Sequence, residues 1–321
     1  MQLFQNIKVN YFIKQLDDLL ANNKSDEVVK VLIKLANSNS KIIHSIGYKY
    51  INQLCSSFEQ GSLLPKKISW INSYNLNDKI YLEKFLQTYF NQLKKNDILI
   101  GSYESQLEEL QDLGLINLKK DFSLNDQVQL SYLIQFFLLA INYNKSDKIL
   151  FNNSAFFESS NNLAFTHPKL TRSYVLITRN PISIFRELKQ LNNQSAVLEI
   201  LNRDNQARVS KLKNLNFEIH TKGWHTFNYS WANNTVINTF SGLIVRIEDL
   251  AKNTEDELIR VLFHLRQSGI DFNIDYQIIR DFIKNNPLIV NEHSKVDLSN
   301  KDIKALGELK EVCDLLGYSF P

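Results

Sequence analysis

The chain has 321 residues, 44% of them hydrophobic and 22% charged, with a formal net charge of +3. That charge is too small to mark nucleic acid or an anionic membrane surface as the partner. Only two cysteines occur, Cys55 and Cys313, far apart in sequence; this argues against a disulfide framework or a zinc site and fits a reducing compartment.

The N-terminal stretch MQLFQNIKVNYFIKQLDDLL is interrupted by Lys8, Lys14, Asp17 and Asp18, so it reads as neither a signal peptide nor an anchor. The longest later apolar run, LIQFFLLAI at 133–141, is half of a membrane span. A cytoplasmic protein is expected. Up to about residue 60 the apolar residues recur at helical spacing: Phe12, Ile13, Leu16, Leu19 and Leu20, then Val28, Val31, Leu32 and Leu35. Residues 1–62 are therefore expected to form a helical N-terminal extension, with Gly61-Ser62 as the boundary to a second domain over 63–321.

From that boundary the pattern alternates. KISWINSY (67–74) is strand-like, and Ile80–Leu93 is helical, with Tyr81, Phe85, Leu86, Tyr89 and Phe90 on one face. Helices are expected over Ser105–Leu113 and Val128–Asn142. KILF (148–151) and SYVLIT (173–178) are short apolar runs of the kind buried in parallel sheets. Helices follow at Ile182–Leu191 and Ala196–Leu212, then GLIVRI (242–247) as another buried strand. Thr254 and Glu257 are spaced as a capping box for a helix through Leu265. Tyr276–Lys284 is stopped by Pro287, and Ile303–Leu316 by Gly317. Strands alternating with helices predict an α/β domain, a mainly parallel sheet flanked by helices on both faces.

Ligands of such sheets bind outside the carboxyl ends of the strands, which singles out three junctions: 69–86, 176–185 and 243–265. At the second, Arg179-Asn180-Pro181 ends a strand and opens a helix at a position where the missing proline N–H costs nothing. A guanidinium and free backbone donors there suit a phosphate; equally, the Arg could pair with a local carboxylate. At the third, Glu248 or Asp249 reads as a brace for a helix.

These junctions, in this order, resemble the sulfotransferase family over roughly four-fifths of the chain, from Ile68 onward. Arg179-Asn180-Pro181 looks like the motif that grips the 3′-phosphate of the donor, 3′-phosphoadenosine-5′-phosphosulfate. GWHTFNYSWANN (223–234), VRIEDLAKNTEDELIRVLFHL (245–265) and CDLLGYSF (313–320) resemble the later segments of the family's fold. The resemblance implies a P-loop-type sheet and a site for that nucleotide.

The same comparison exposes departures. The family's 5′-phosphosulfate loop reads Ser-Tyr-Pro-Lys-Ser-Gly-Asn/Thr-Thr-Trp. After Ser73-Tyr74 this chain has Asn75, Leu76, Asn77, Asp78, Lys79 and Ile80, with Leu76 at the Lys position, Asp78 at the Gly and Ile80 at the Thr. A carboxylate ~4 Å from one phosphate charge costs on the order of 4 kcal/mol at an effective dielectric near 20. Lys79 is the nearby cation that could offset part of it. The family's Lys-Thr-His, whose His serves as base, corresponds to Asn152, Asn153 and Ser154, and Ser cannot act as a base at neutral pH. His167, in Phe165-Thr166-His167-Pro168, is the rival candidate. Glu187 replaces the Ser that also holds the 3′-phosphate, and 286–298 lacks the covering Arg-Lys-Gly loop.

The expectation is thus a sulfotransferase-fold pseudoenzyme with no cofactor and no metal, acting as a binding or accessory protein through another protein, with the N-terminal helices as the partner surface. The alternative is a divergent active sulfotransferase that uses the nucleotide donor.

Overall fold

The computed structural model describes residues 68–74, 76–103, 147–151, 166–167, 170–190, 224–289 and 297–319, with isolated positions at 11–27 and 105–135. Five strands form one sheet: β1 (Ile68–Ser73), β2 (Ile98–Ser102), β3 (Asp147–Phe151), β4 (Thr171–Thr178) and β5 (Gly242–Arg246). All pairings are parallel and the order is β2-β3-β1-β4-β5. The apolar runs read from the sequence are the three inner strands, β1, β3 and β4, which are covered on both faces as parallel strands require.

Strand alternation sends successive side chains to opposite faces. Ile71 of β1, with Val175 and Ile177 of β4, meets Leu82, Phe85, Leu86 and Tyr89 of helix α1 (Ile80–Gln92) in one buried cluster. Helix α2 is Pro181–Gln190, helix α3 is Trp224–Ala232 and helix α4 is Asn234–Thr239. After β5 come α5 (Ile247–Lys252), α6 (Thr254–Gln267) and α7 (Tyr276–Asn285); Leu258, Leu262, Ile279 and Phe282 join the same cluster. On the opposite face the Tyr174 ring packs edge-on against Trp231 of α3, at 4.8 Å between centroids, and its hydroxyl donates to the Trp231 carbonyl. Helices thus flank the sheet on both faces.

Several expectations need correction. The strand β2 (ILIGS) follows directly on α1 and was missed: its Gly and Ser break the apolar pattern, and it lies at the sheet edge. The segment GLIVRI is not a fully buried strand. Only Val245 of β5 is buried, and Ile247 already begins α5. The capping box at Thr254 does not form, because α6 starts one residue after Asn253, which leaves Thr254 inside the helix rather than at its cap. The last helical run is broken into α8 (Asn300–Leu306), a 3-10 turn (Gly307–Leu309) and α9 (Lys310–Leu315). A capping box does occur at α8, where Ser299 and Asp302 bond reciprocally. Helix α7 ends two residues before Pro287, as read. The extension over 1–62, apart from scattered helical positions between 11 and 27, and the helix at Ala196–Leu212 lie outside the described residues; Ser105–Leu113 and Val128–Asn142 are represented by isolated helical positions.

Gly242 opens β5 beneath Tyr174. A methyl group there would fall inside contact distance of both the ring and the hydroxyl that anchors α3. Gly307 has ordinary helical backbone angles and open space around it. Gly242→Ala should therefore destabilise the protein by about 1–3 kcal/mol, through overpacking. Gly307→Ala should stabilise it by about 0.4–1 kcal/mol, through the unfolded chain. Urea unfolding of both variants checks the opposite signs of one chemical change.

Candidate functional site

The connection leaving β1 runs to β2 on one side of the sheet, and the connection leaving β4 runs to β5 on the other. The carboxyl ends of β1 and β4 therefore flank a topological switch point, where open α/β sheets place their ligands. β1 is continued by a 3-10 turn, Leu76–Lys79, that runs directly into α1. A 3-10 turn directs its N–H groups back on itself in i→i+3 bonds, so this segment is wound rather than open. Lys79 and Asp78 are buried, whereas Ile80 is 55% exposed. Asn75 and the side chains of Leu76 and Asn77 lie outside the described residues.

Arg179 follows the last residue of β4 and is itself buried. Its Nη1 donates to Glu187 Oε2 at 2.8 Å and stands 4.0 Å from Asp78 Oδ1. The two residues that the sequence comparison reads as repelling a phosphate are thus the two that surround the guanidinium. Their spacing explains why: residues 179 and 187 are joined by two turns of α2, while the 3-10 turn brings Asp78 across from β1. The second option for Arg179, a local carboxylate partner, is the one this geometry realises.

The amide donors of the junction are also used internally. The Asn180 N–H donates to Glu248 Oε1 at 2.8 Å, and Asn180 Oδ1 accepts from the Ile182 N–H at 2.9 Å. Glu248 accepts with its other oxygen from the Tyr318 hydroxyl at 3.1 Å. Arg246, at the end of β5, donates to Asp249 at 2.5 Å and to the Gly317 carbonyl, and its guanidinium lies 5.6 Å from the centroid of the Tyr318 ring. On the other face of the junction the Trp224 indole donates to the Arg179 carbonyl at 3.2 Å. Glu248 does brace a helix, as its position suggested, but the helix is α2 rather than its own. Tyr318 and Trp224 were not singled out as site residues, because nothing local marks a residue whose partner is 70 or 45 positions away.

Burial pushes the Asp78 carboxyl up to about 6, with Glu248 and Glu187 pushing the same way and Arg179 opposing them. Burial and the neighbouring Glu248 raise the Tyr318 hydroxyl as well.

His167 is buried before the first residue of β4, its amide donating to Gln135 Oε1 at 3.0 Å and its carbonyl accepting from the Thr171 hydroxyl at 2.9 Å. It stands at the amino edge of the sheet. The eight residues of β4 separate it from Arg179, about 26 Å at strand rise. The structure does not bring His167 to the switch point. Ser154 lies outside the described residues.

Asp78 gives this site a pH signature. Its folded value lies above the ordinary 3.8, so between about pH 4 and 6 the folded protein holds a proton that the unfolded chain has released. Stability is then greatest below that window and falls as pH rises through it. Asp78→Asn should remove this slope: between pH 4.5 and 7.5 its stability should gain on the wild type by roughly 2 kcal/mol, by linkage across the raised value. Urea midpoints of both proteins at the two pH values test it, and a constant difference would refute the assignment. No protein-family model matches the chain and no curated protein matches it.

Proposed function

We propose that this chain is a sulfotransferase-like P-loop-type α/β protein whose nucleotide cradle is filled by its own carboxylates, and that it works as a binding or accessory protein rather than an enzyme. One observation carries the reading: the Arg179 guanidinium, the residue matched to the donor's 3′-phosphate, is engaged by Glu187, which stands where the family has a phosphate-binding Ser. A buried guanidinium needs an anionic partner, and here the protein supplies it. The Asn180 amide, a second donor that a phosphate would use, is taken by Glu248. The 3-10 winding of Leu76–Lys79 supports the same reading for the 5′-phosphosulfate end. The order β2-β3-β1-β4-β5, with β1 central and its following turn at the switch point, supports the P-loop-type assignment.

The alternative, an active sulfotransferase with His167 as base, is disfavoured by the placement of His167 before the amino end of β4, at the opposite end of that strand from Arg179. The helical extension over 1–62 remains the proposed partner surface. Among the described residues no helix is long and apolar enough to cross a membrane.

Calorimetric titration with 3′-phosphoadenosine-5′-phosphate at pH 7.5 tests the reading. A Kd of millimolar or weaker is expected, so 1 mM nucleotide should stabilise the protein by well under ~1 kcal/mol. Micromolar binding abolished by Arg179→Ala would overturn it and favour the enzyme. Restoring Leu76→Lys, Asp78→Gly and Ile80→Thr together should tighten phosphate binding without producing sulfonate transfer, because Ser154 still offers no base.

A further inference from the structure

We propose that the switch point is a proton-gated oxyanion site: Arg179 accepts a sulfate-like or phosphate-like dianion when Asp78 carries a proton, and is closed to it when Asp78 is ionised. The inference rests on the proposed function, since it takes the carboxylate-filled cradle as its resting state and adds the condition that opens it.

Arg179 Nη1 lies between two carboxylates, with Glu187 at 2.8 Å on α2 and Asp78 at 4.0 Å on the turn after β1. They are not equivalent. Asp78 is 9% exposed and fixed in the 3-10 turn, whereas the Glu187 side chain is about one-third exposed, long and on a helix surface, so it can swing away from an incoming ligand. The fixed charge is therefore the gate. A dianion beside Arg179 would meet the ionised Asp78 a few ångströms off, and burial of both groups weakens the screening of that repulsion.

Among the described residues, two buried donors at this end of the sheet have no hydrogen-bond partner. Arg179 Nε is one, and Ser73 Oγ, at the last position of β1, is the other. Strand alternation places Ser73 on the face of Ile71, the face that receives α1 and its leading turn. Unsatisfied buried donors are costly and uncommon in native proteins. A guanidinium Nε–H and a hydroxyl are donors that an oxyanion can accept from.

The charged groups facing Asp78 come from four elements. Arg179 lies at the β4–α2 junction, Glu187 on α2 and Glu248 on α5, with Lys79 adjacent in the turn itself. Glu248 is committed to the Asn180 amide and to Tyr318. Protonating Asp78 removes one negative charge from this group and leaves Arg179 with the displaceable Glu187. The direction of the Asp78 shift, toward about 6, places the change in an accessible range.

Inorganic sulfate is the appropriate probe, because its own charge is constant over the range. Calorimetric titrations of the full chain at pH 5.5 and 7.5 should give a Kd about 25-fold weaker at the higher pH, the ratio of the protonated Asp78 fractions. At pH 6.5, titrations in two buffers of different ionisation enthalpy should reveal proton uptake on binding. Asp78→Asn should bind at pH 7.5 as the wild type does at pH 5.5, Glu187→Ser should tighten binding at both pH values and keep the pH dependence, and Arg179→Ala should abolish it. Binding without proton uptake, binding that survives Arg179→Ala, or a pH dependence retained in Asp78→Asn overturns the gate. Absence of sulfate binding at both pH values overturns it too, while leaving the filled cradle intact. Tight, pH-independent binding at pH 7.5 overturns the gate and the filled cradle together.

Discussion

A guanidinium in the protein interior is tolerated only beside compensating negative charge, and Arg179 sets that requirement at the centre of this fold. Stripping such a cation of water costs several kcal/mol unless well-placed carboxylates replace the lost solvation. Glu187 meets the need at hydrogen-bond distance and Asp78 at 4.0 Å, so α2 and the turn entering α1 are held toward the same point. Their positions follow from the backbone: Arg179 must leave β4, Asp78 must leave β1, and these two strands are hydrogen-bonded neighbours. A change of partner strand would leave three ionised groups without one another.

A second tie fastens the carboxyl edge from outside. Glu248 takes a backbone donor from the start of α2 and a hydroxyl from the C-terminal segment, while Arg246 stacks over that same tyrosine. Gly317, with φ of +72°, makes the turn that brings Tyr318 back to the sheet, and a side chain there would press on Arg246. The junctions after β4 and β5 and the end of α9 are thus joined through one carboxylate. Removing Glu248 would strand the Asn180 backbone N–H and take one partner from the Tyr318 hydroxyl, which makes it a structural residue first.

What could be read in the sequence was what is local. The runs WINS, KILF and SYVLIT are apolar because both faces of an inner parallel strand are covered, and α1 shows its buried stripe at helical spacing. Edge strands carry weaker signals: β2 has one buried position and a glycine, and β5 was read as more buried than it is. In the site, Arg179, Asp78 and Glu187 were singled out because a family resemblance draws attention to those positions. Their mutual attraction was not, since the comparison treats Asp78 and Glu187 as charges against an absent phosphate rather than as partners for the arginine already there. Glu248 with Tyr318 is a contact between positions 70 apart, for which a single sequence holds no sign.

The strand order also bears on how the chain comes to be made. β1 lies in the middle of the sheet, yet its first partners in register are Lys148 on one side and Thr171 on the other, 80 and 103 positions later. At ribosomal rates of ~5–20 residues per second, β1 waits roughly 4–16 s after its own synthesis before a neighbour exists. Its run Ile68-Ser69-Trp70-Ile71 is uncharged and rich in residues that favour strands. Throughout that interval it is a segment suited to pairing with the wrong chain. Helix α1, which follows at once and buries five of its residues in the finished protein, is the first of the described elements after β1 able to cover one face of it. For this protein, the helix after the first strand serves as shelter before it serves as architecture.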